Sequence, residues 1–323
     1  MGREPRWVPP HSLQHVTDVT FQNRFLLCPS EELNQRFLGV LGKAQKEFEM
    51  PIYGAVVLST HLHLLLRPRD GEHLAGFMCF FKTNLSKEIG TRMRGWTGSF
   101  FDDRYHNVTV SDEEEAQVRI LYYLLAQGTK EFLVEKVLDW PGVHCARSLI
   151  EGTPMEGRWI DRTAERRARS RKGGEAMAEE AFASKETVEL SPLPCWEHLE
   201  ERGWRESVAG LVAEIDREAA AERRLTGRRC LGVRGILAVD PTAQLVEVEK
   251  SPKKRFHAAS REVLERLLEI WSGVLAVYRE ASARLRAGDR SVEFPEGTFP
   301  PALPFVPFSE KTLGTWEARG RPA

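Results

Sequence analysis

Alternating and helically spaced apolar positions divide the first half of the chain into a regular series of elements. "LQHVTDVTF", Leu13 to Phe21, is rich in Val and Thr and reads as a strand. Behind Ser30, a fitting N-cap followed by Glu31 and Glu32, the side chains Leu33, Phe37, Val40, Leu41, Ala44 and Phe48 fall on one helical stripe. The run "PIYGAVVLSTHLHLLLRP" is too long for a single strand and breaks naturally at Ser59-Thr60, so it predicts a hairpin. In its second arm Leu62, Leu64 and Leu66 face one way, while His61, His63 and Leu65 face the other.

A second helix is expected over Glu72 to Gly90, with Leu74, Phe77, Met78, Phe81, Leu85 and Ile89 inward and Lys82 and Lys87 off the stripe. "GSFFDDRYHNVTV", Gly98 to Val110, reads as a further strand or hairpin arm. A third helix should open on a capping box of Ser111 and Glu114 and run to Gly128. The order β-α-β-β-α-β predicts an α+β fold, an antiparallel sheet with helices on one face.

Beyond Ile150 the pattern changes. Arg158, Arg162, Arg166, Arg167, Arg169, Arg171 and Lys172 crowd together against Asp161 and Glu165, and Gly173-Gly174 and an Ala/Glu-rich stretch come after them. This predicts residues 1–150 as a first domain, 151–190 as a basic and Ala/Glu-rich linker or arm, and 191–323 as a largely helical C-terminal extension. That extension holds helical patterns from about Trp204 to Arg224 and from Ser260 to Ala287, then a Pro-rich tail.

Composition changes this picture little. A chain of 323 residues with 41% hydrophobic and 29% charged side chains is ordinary for a globular protein and exceeds one comfortable core. The net charge of −1 neither requires nor forbids a nucleic-acid partner, because a basic groove can be offset by acidic surface elsewhere. Five scattered cysteines without a C-x-x-C pair fit a reduced setting. The start has no apolar signal region and no stretch reaches the roughly 20 apolar residues of a membrane span. A cytoplasmic chain with no membrane partner is expected.

The chemistry concentrates in "THLHLLLRP". Two imidazoles at i and i+2 of a strand point to one side, and neutral imidazole is a common metal ligand. Alone, such a pair is usually a set of surface or hydrogen-bonded histidines. In the third helix Tyr123 and Gln127 stand four apart, on one face, and Ile120, Leu121, Leu124 and Leu125 can pack on the sheet. Tyr122-Tyr123 by itself reads as helix packing.

Together these residues resemble the HUH endonucleases of the single-tyrosine transposase family, including its REP-associated and insertion-sequence branches. His61-Leu62-His63 is similar to the His-hydrophobic-His signature. "YYLLAQGTKEFLVEKVLDWPGVHCARS" is similar to the tyrosine helix and the segment after it, and "SFFDDRYHNVTV" to the strand before it. Gln127-Gly128 departs from the Asn-Pro common in the REP-associated branch, and Thr60 stands where Asn or Asp is frequent.

The resemblance implies a ferredoxin-like, palm-type nuclease core over about residues 10–150. It implies one divalent ion, magnesium or manganese, on His61, His63 and Gln127, and Tyr123 as the nucleophile that cuts single-stranded DNA through a 5′-phosphotyrosine. Four residues beyond Tyr122 lies Ala126, which cannot hold a metal, whereas Tyr123 leads to Gln127. The DNA partner implied is a single strand beside a hairpin or inverted repeat, met by a monomer or a homodimer that is nucleoid-associated when bound. Lys82, Lys87, Arg92, Arg94, Arg104, Arg166, Arg167 and Arg169 are the candidate DNA contacts. A host-adopted DNA-binding protein that keeps the fold without cleavage is the alternative. A nucleotide hydrolase of the H-x-H-x-H type is disfavoured by Leu65.

Overall fold

β1 (Leu13–Val19) lies inside a five-stranded sheet in this computed structural model, which describes residues 4–90, 93, 96–171, 178–245 and 254–301. The helix α1 (Glu31–Phe48) starts as its sequence predicts, with Ser30 Oγ accepting the Leu33 N–H at 3.1 Å. The long apolar run splits into β2 (Ile52–Val57) and β3 (His61–Leu66), and Leu58 N–H bonds to the His61 carbonyl at 2.8 Å across Ser59-Thr60. After α2 (Gly71–Leu85), capped by Asp70, a π-helical turn covers Ser86–Gly90.

Of the stretch expected as strand or hairpin arm, β4 (His106–Val110) is the extended part. It leads to α3 (Glu114–Leu125), which ends at Ala126 before the short α4 (Gln127–Lys130), so the expected single helix to Gly128 is broken by one residue. The expected capping box is not formed. Glu113 is the N-cap, and Ser111 Oγ bonds to the Glu113 carboxylate at 2.7 Å. That carboxylate also takes the N–H groups of Ala259 and Ser260 at 2.9 and 3.0 Å. A partner nearly 150 residues away has captured the local cap.

The sheet is completed by β7 (Phe256–His257), a short strand from the C-terminal region. Strand order is β2-β3-β1-β4-β7, antiparallel except for the last pair. Register fixes the two faces, because alternate residues on a strand point to opposite sides. Asp18 points toward α2, where Lys82 Nζ meets its carboxylate at 2.8 Å. His15, Thr17, His61 and His63 therefore share the other face, the one that α3 covers. Leu62, Leu64, Leu65 and Leu66 are completely buried, as are Phe37, Phe77 and Phe81 from α1 and α2.

The segment expected as a linker is packed structure. After α5 (Ala146–Glu151), β5 (Met155–Ile160) leads into α6 (Arg162–Arg171) and returns through β6 (Ala183–Val188) as an antiparallel pair. This pair lies so close to α1 that a Cβ on Gly39 would stand 2.1 Å from the Arg158 carbonyl carbon. Ion pairs tie it to the rest of the chain: Glu88 receives Arg36 of α1 at 2.9 Å and Arg162 at 2.5 Å, and Glu179 receives Arg36 at 2.9 Å. Arg158 and Arg162 of the basic run are thus paired, while Arg166, Arg167 and Arg169 of α6 stay exposed.

The C-terminal region adds α7 (Glu201–Thr226), α8 (Gly232–Leu237) and α9 (Arg261–Arg286). Trp204, Val208, Val212 and Ile215 of α7 join the main core. β7, between α8 and α9, pairs in parallel with β4 at Thr109–Phe256 and Val110–His257. Among the described residues no helix is long and apolar enough to cross a membrane.

Candidate active site

Three histidines and a tyrosine meet on the sheet face beneath α3. β1 and β3 pair with Thr17 opposite His63 and Val19 opposite His61. The His61 and His63 rings stand 4.9 Å apart, nearly perpendicular. Tyr123, brought by α3, sets its ring edge-on to His63 and to His15, each at 5.9 Å. It is 39% exposed, so its phenol is reachable from solvent while its ring is held. Lys130 of α4 rests its ammonium 4.9 Å from the centre of the same ring.

Tyr122 is placed differently. Its hydroxyl donates to the Glu218 carboxylate on α7, and burial followed by that carboxylate raises its pKa. Tyr122 thus turns toward α7, whereas Tyr123 turns toward the histidines.

Gln127 is 2% exposed, and its amide nitrogen donates to the Tyr123 carbonyl at 2.8 Å, which ties the residue back to the tyrosine helix. Its side chain lies beside His63, where it favours the protonated ring. Burial works against it and more strongly. His63 is pushed well below the ordinary histidine value, by burial first and then by His61, His15 and Lys130. Burial also lowers His61 to about 4 and His15 to about 3. At neutral pH these rings are uncharged and carry lone pairs.

Hydrogen bonds occupy one side of each imidazole. Thr60 Oγ1 lies 2.9 Å from His61 Nδ1. His63 Nδ1 lies 3.0 Å from His15 Nε2 and 3.3 Å from Thr17 Oγ1. Nε2 of His63 is fully buried and has no hydrogen-bond partner. A buried imidazole nitrogen without a hydrogen-bond partner, beside a carboxamide, suits a cation. Among the described residues no three His, Cys, Asp or Glu side chains form a metal-holding cluster, so an ion here would need the carboxamide as a third protein donor.

The expected DNA contacts do not form one surface. Lys82 turns inward to Asp18, on the sheet face opposite the histidines, and also bonds the Asp103 carbonyl at 2.8 Å. Lys87 is exposed on the π-turn after α2. Arg166, Arg167 and Arg169 lie on α6, which grows from the strand pair packed on α1, away from the tyrosine, and Arg169 pairs with Glu165 at 3.2 Å. Arg104 is exposed at the entrance to β4. Arg92 and Arg94 lie outside the described residues.

Three residues of the site went unremarked in the sequence: His15, Thr17 and Lys130. His15 and Thr17 carried a signal, because they repeat on the first strand the i, i+2 spacing of His61 and His63. Which strand pairs with which, and in what register, is what makes that parity meaningful. His106 also faces this side, since Thr17 pairs with it on the other flank.

The fold and site define an α+β sheet that sets a His-x-His strand against a tyrosine-bearing helix. Residues 15–124 match the family model described as "Transposase IS200 like". The resemblance therefore stands for this segment, which includes His61, His63 and Tyr123 and stops short of Gln127. Two solved structures are similar. One is a REP-associated tyrosine transposase bound to a REP hairpin, 17% identical, covering 48% of this chain and 90% of its own, with a TM-score of 0.39. The other is a candidate transposase from Deinococcus radiodurans R1, 16% identical, covering 38% of this chain and 96% of its own, with a TM-score of 0.27. No curated protein matches.

Proposed function

We propose that the protein cuts and rejoins single-stranded DNA with Tyr123 as nucleophile. The observation that carries this reading is the contact of the Tyr123 ring with His63 inside one chain, 5.9 Å between centroids, at a pair of neutral imidazoles. The phenol oxygen of Tyr123 attacks the scissile phosphorus and gives up its proton to solvent. The bond from phosphorus to the 3′-oxygen breaks, and that oxygen takes a proton, leaving a free 3′-hydroxyl and a 5′-phosphotyrosine. Attack by a 3′-hydroxyl on the phosphotyrosine reverses the step, so rejoining needs no external energy source.

His61, His63 and Gln127 would hold one magnesium or manganese ion, which as a Lewis acid polarises the scissile phosphate. The protein's own part is to keep both rings neutral by burial and to hold the tyrosine by its edge contacts with His15 and His63. Lys130 against the ring face adds about 0.5–1 kcal/mol of cation–π attraction that keeps the phenol over the histidines. The substrate, a single strand beside a hairpin or inverted repeat, follows from the family resemblance. Because the phenol reaches the histidines of its own chain, the reading uses Tyr123 in cis.

The test is capture of the adduct. A 3′-labelled oligonucleotide incubated with protein and manganese should migrate with the polypeptide on a denaturing gel. Tyr123→Phe should lose the band and Tyr122→Phe should keep it. Equal bands from wild type and Tyr123→Phe would reject the nucleophile. Binding without cleavage under either metal would favour the regulatory alternative.

A further inference from the structure

A cleft of about 430 Å³ opens beside the start of β4, and the chemistry at Tyr123 makes no use of it. Its walls come from three remote parts of the chain: Arg6 near the start, Arg104 and Tyr105 before β4, and Lys254 and Arg255 before β7. Four cationic side chains face two acids, Glu4 and Asp103. Glu4 is taken by Arg255 at 2.6 Å. The buried Asp18 carboxylate also attracts Arg6.

Arg6 is the most enclosed of these. It donates to the Tyr105 carbonyl at 2.6 Å and lies 3.7 Å from the centre of the Tyr105 ring. Burial holds its pKa below the ordinary arginine value, Tyr105 opposes that, and Arg104 adds to it. Four cationic side chains against two acids leave the cleft with an excess of positive charge, which favours a polyanion.

Strand register locates this cleft. Thr17 pairs with His63 on one flank and with His106 on the other, and His106 lines the cleft. Two strand spacings of roughly 4.8 Å separate the backbone of His106 from that of His63. Neighbouring nucleotides of one strand bridge that distance. A phosphate lying at Tyr123 would thus carry its flanking phosphates toward Arg104 and Lys254.

We propose that this cleft binds the sugar-phosphate backbone of single-stranded DNA flanking the scissile phosphate, with Arg104 and Lys254 as its phosphate contacts. The proposal rests on the single-strand reading of the tyrosine site. It also gives the C-terminal region a role, since β7 lies beside β4 and delivers Lys254 to the substrate path.

The experiment uses the full chain carrying Tyr123→Phe, so that binding is measured without cleavage. Fluorescence anisotropy of a labelled single-stranded 30-mer is followed from low to high salt. Each phosphate contact on a single strand contributes about 0.7 to the slope of log K against log salt. Arg104→Ala with Lys254→Ala, both at exposed positions, should lower the slope by about 1.4 and weaken binding at low salt. Arg166→Ala with Arg167→Ala, on α6, should leave the slope in place. An unchanged slope in the cleft variant overturns the proposal, as does an equal loss in both pairs. Adduct formation by the wild-type chain is scored separately, so a protein that forms the adduct yet keeps its slope refutes the cleft alone. A parent protein that binds no single strand refutes both readings.

Discussion

His15 Nε2 and His63 Nδ1 lie 3.0 Å apart with their rings nearly parallel, joining β1 to β3 through side chains at the centre of the site. Both rings are neutral, so one nitrogen of the pair donates and the other accepts. When His63 donates from Nδ1, its buried Nε2 presents a lone pair beside Gln127. His15 is thus placed to fix the His63 tautomer. His15→Ala should weaken manganese binding, measured by calorimetry, by about 10- to 100-fold, as loss of such outer partners does elsewhere. His15→Asn, which keeps an acceptor, should restore part of it. Unaltered affinity in His15→Ala would remove this role.

The buried ion network should dominate the packing of the strand pair on α1. Arg36 and Glu88 are 8% and 4% exposed, and Arg162 adds a two-point contact to Glu88. Removing one partner leaves an uncompensated buried charge, which costs about 3–5 kcal/mol. Chemical denaturation of Glu88→Ala should register a loss near the lower end of that range, since Glu32 and Glu179 still hold Arg36. A loss below about 1 kcal/mol would show that the network is dispensable.

Asp18 should make stability fall as pH rises. Burial raises its pKa from 3.8 to about 6, with Lys82 only partly opposing. The folded chain therefore binds this proton more tightly than the unfolded chain, and the benefit, full below about pH 4, is lost as pH climbs through 6. A shift of about 2 units at 1.36 kcal/mol each corresponds to about 3 kcal/mol. Urea unfolding of Asp18→Asn between about pH 4 and 7 should lack this decline relative to wild type. Parallel curves would contradict the assignment.

Gly39 should tolerate no side chain. A Cβ there would meet the Arg158 carbonyl carbon and oxygen at 2.1 Å, and a Cβ on Gly157 would meet the Gly39 nitrogen at 2.1 Å. Alanine would improve helix propensity by about 1 kcal/mol, yet the strand pair would have to move away. Gly39→Ala should lower the melting temperature, whereas Gly210→Ala on α7, with open space around it, should raise it or leave it unaltered. The opposite order would refute the close-packing argument.

Much of the fold was legible because its signals are local. Ser30 caps α1 through Leu33, three residues away, and Ser260 caps α9 through Val263 in the same manner. The break at Ser59-Thr60 and the sidedness of His61 and His63 came from period-two alternation within one strand. Tyr123 was separable from Tyr122 by counting along a helix. All of these concern residues fewer than about five apart, whose geometry the backbone itself dictates.

The features that escaped the sequence depended on distant partners. Lys82, expected to meet DNA, turned inward because Asp18, far earlier in the chain, lies under it. The Ser111 box gave way to Glu113, whose acceptors were claimed by Ala259 and Ser260. Within the stretch expected as a linker, a strand pair packs on α1, and Arg162 at the start of α6 finds its countercharges in Glu88 and Glu179. His15 joined the site through sheet register alone. The sequence by itself determined which residues of a strand or helix share a side and where locally capped helices such as α1 begin. Only the tertiary structure decided which side chains meet across elements, because hydrogen bonds and ion pairs act over a few ångströms and periodicity carries no information about which remote segment will be brought that near.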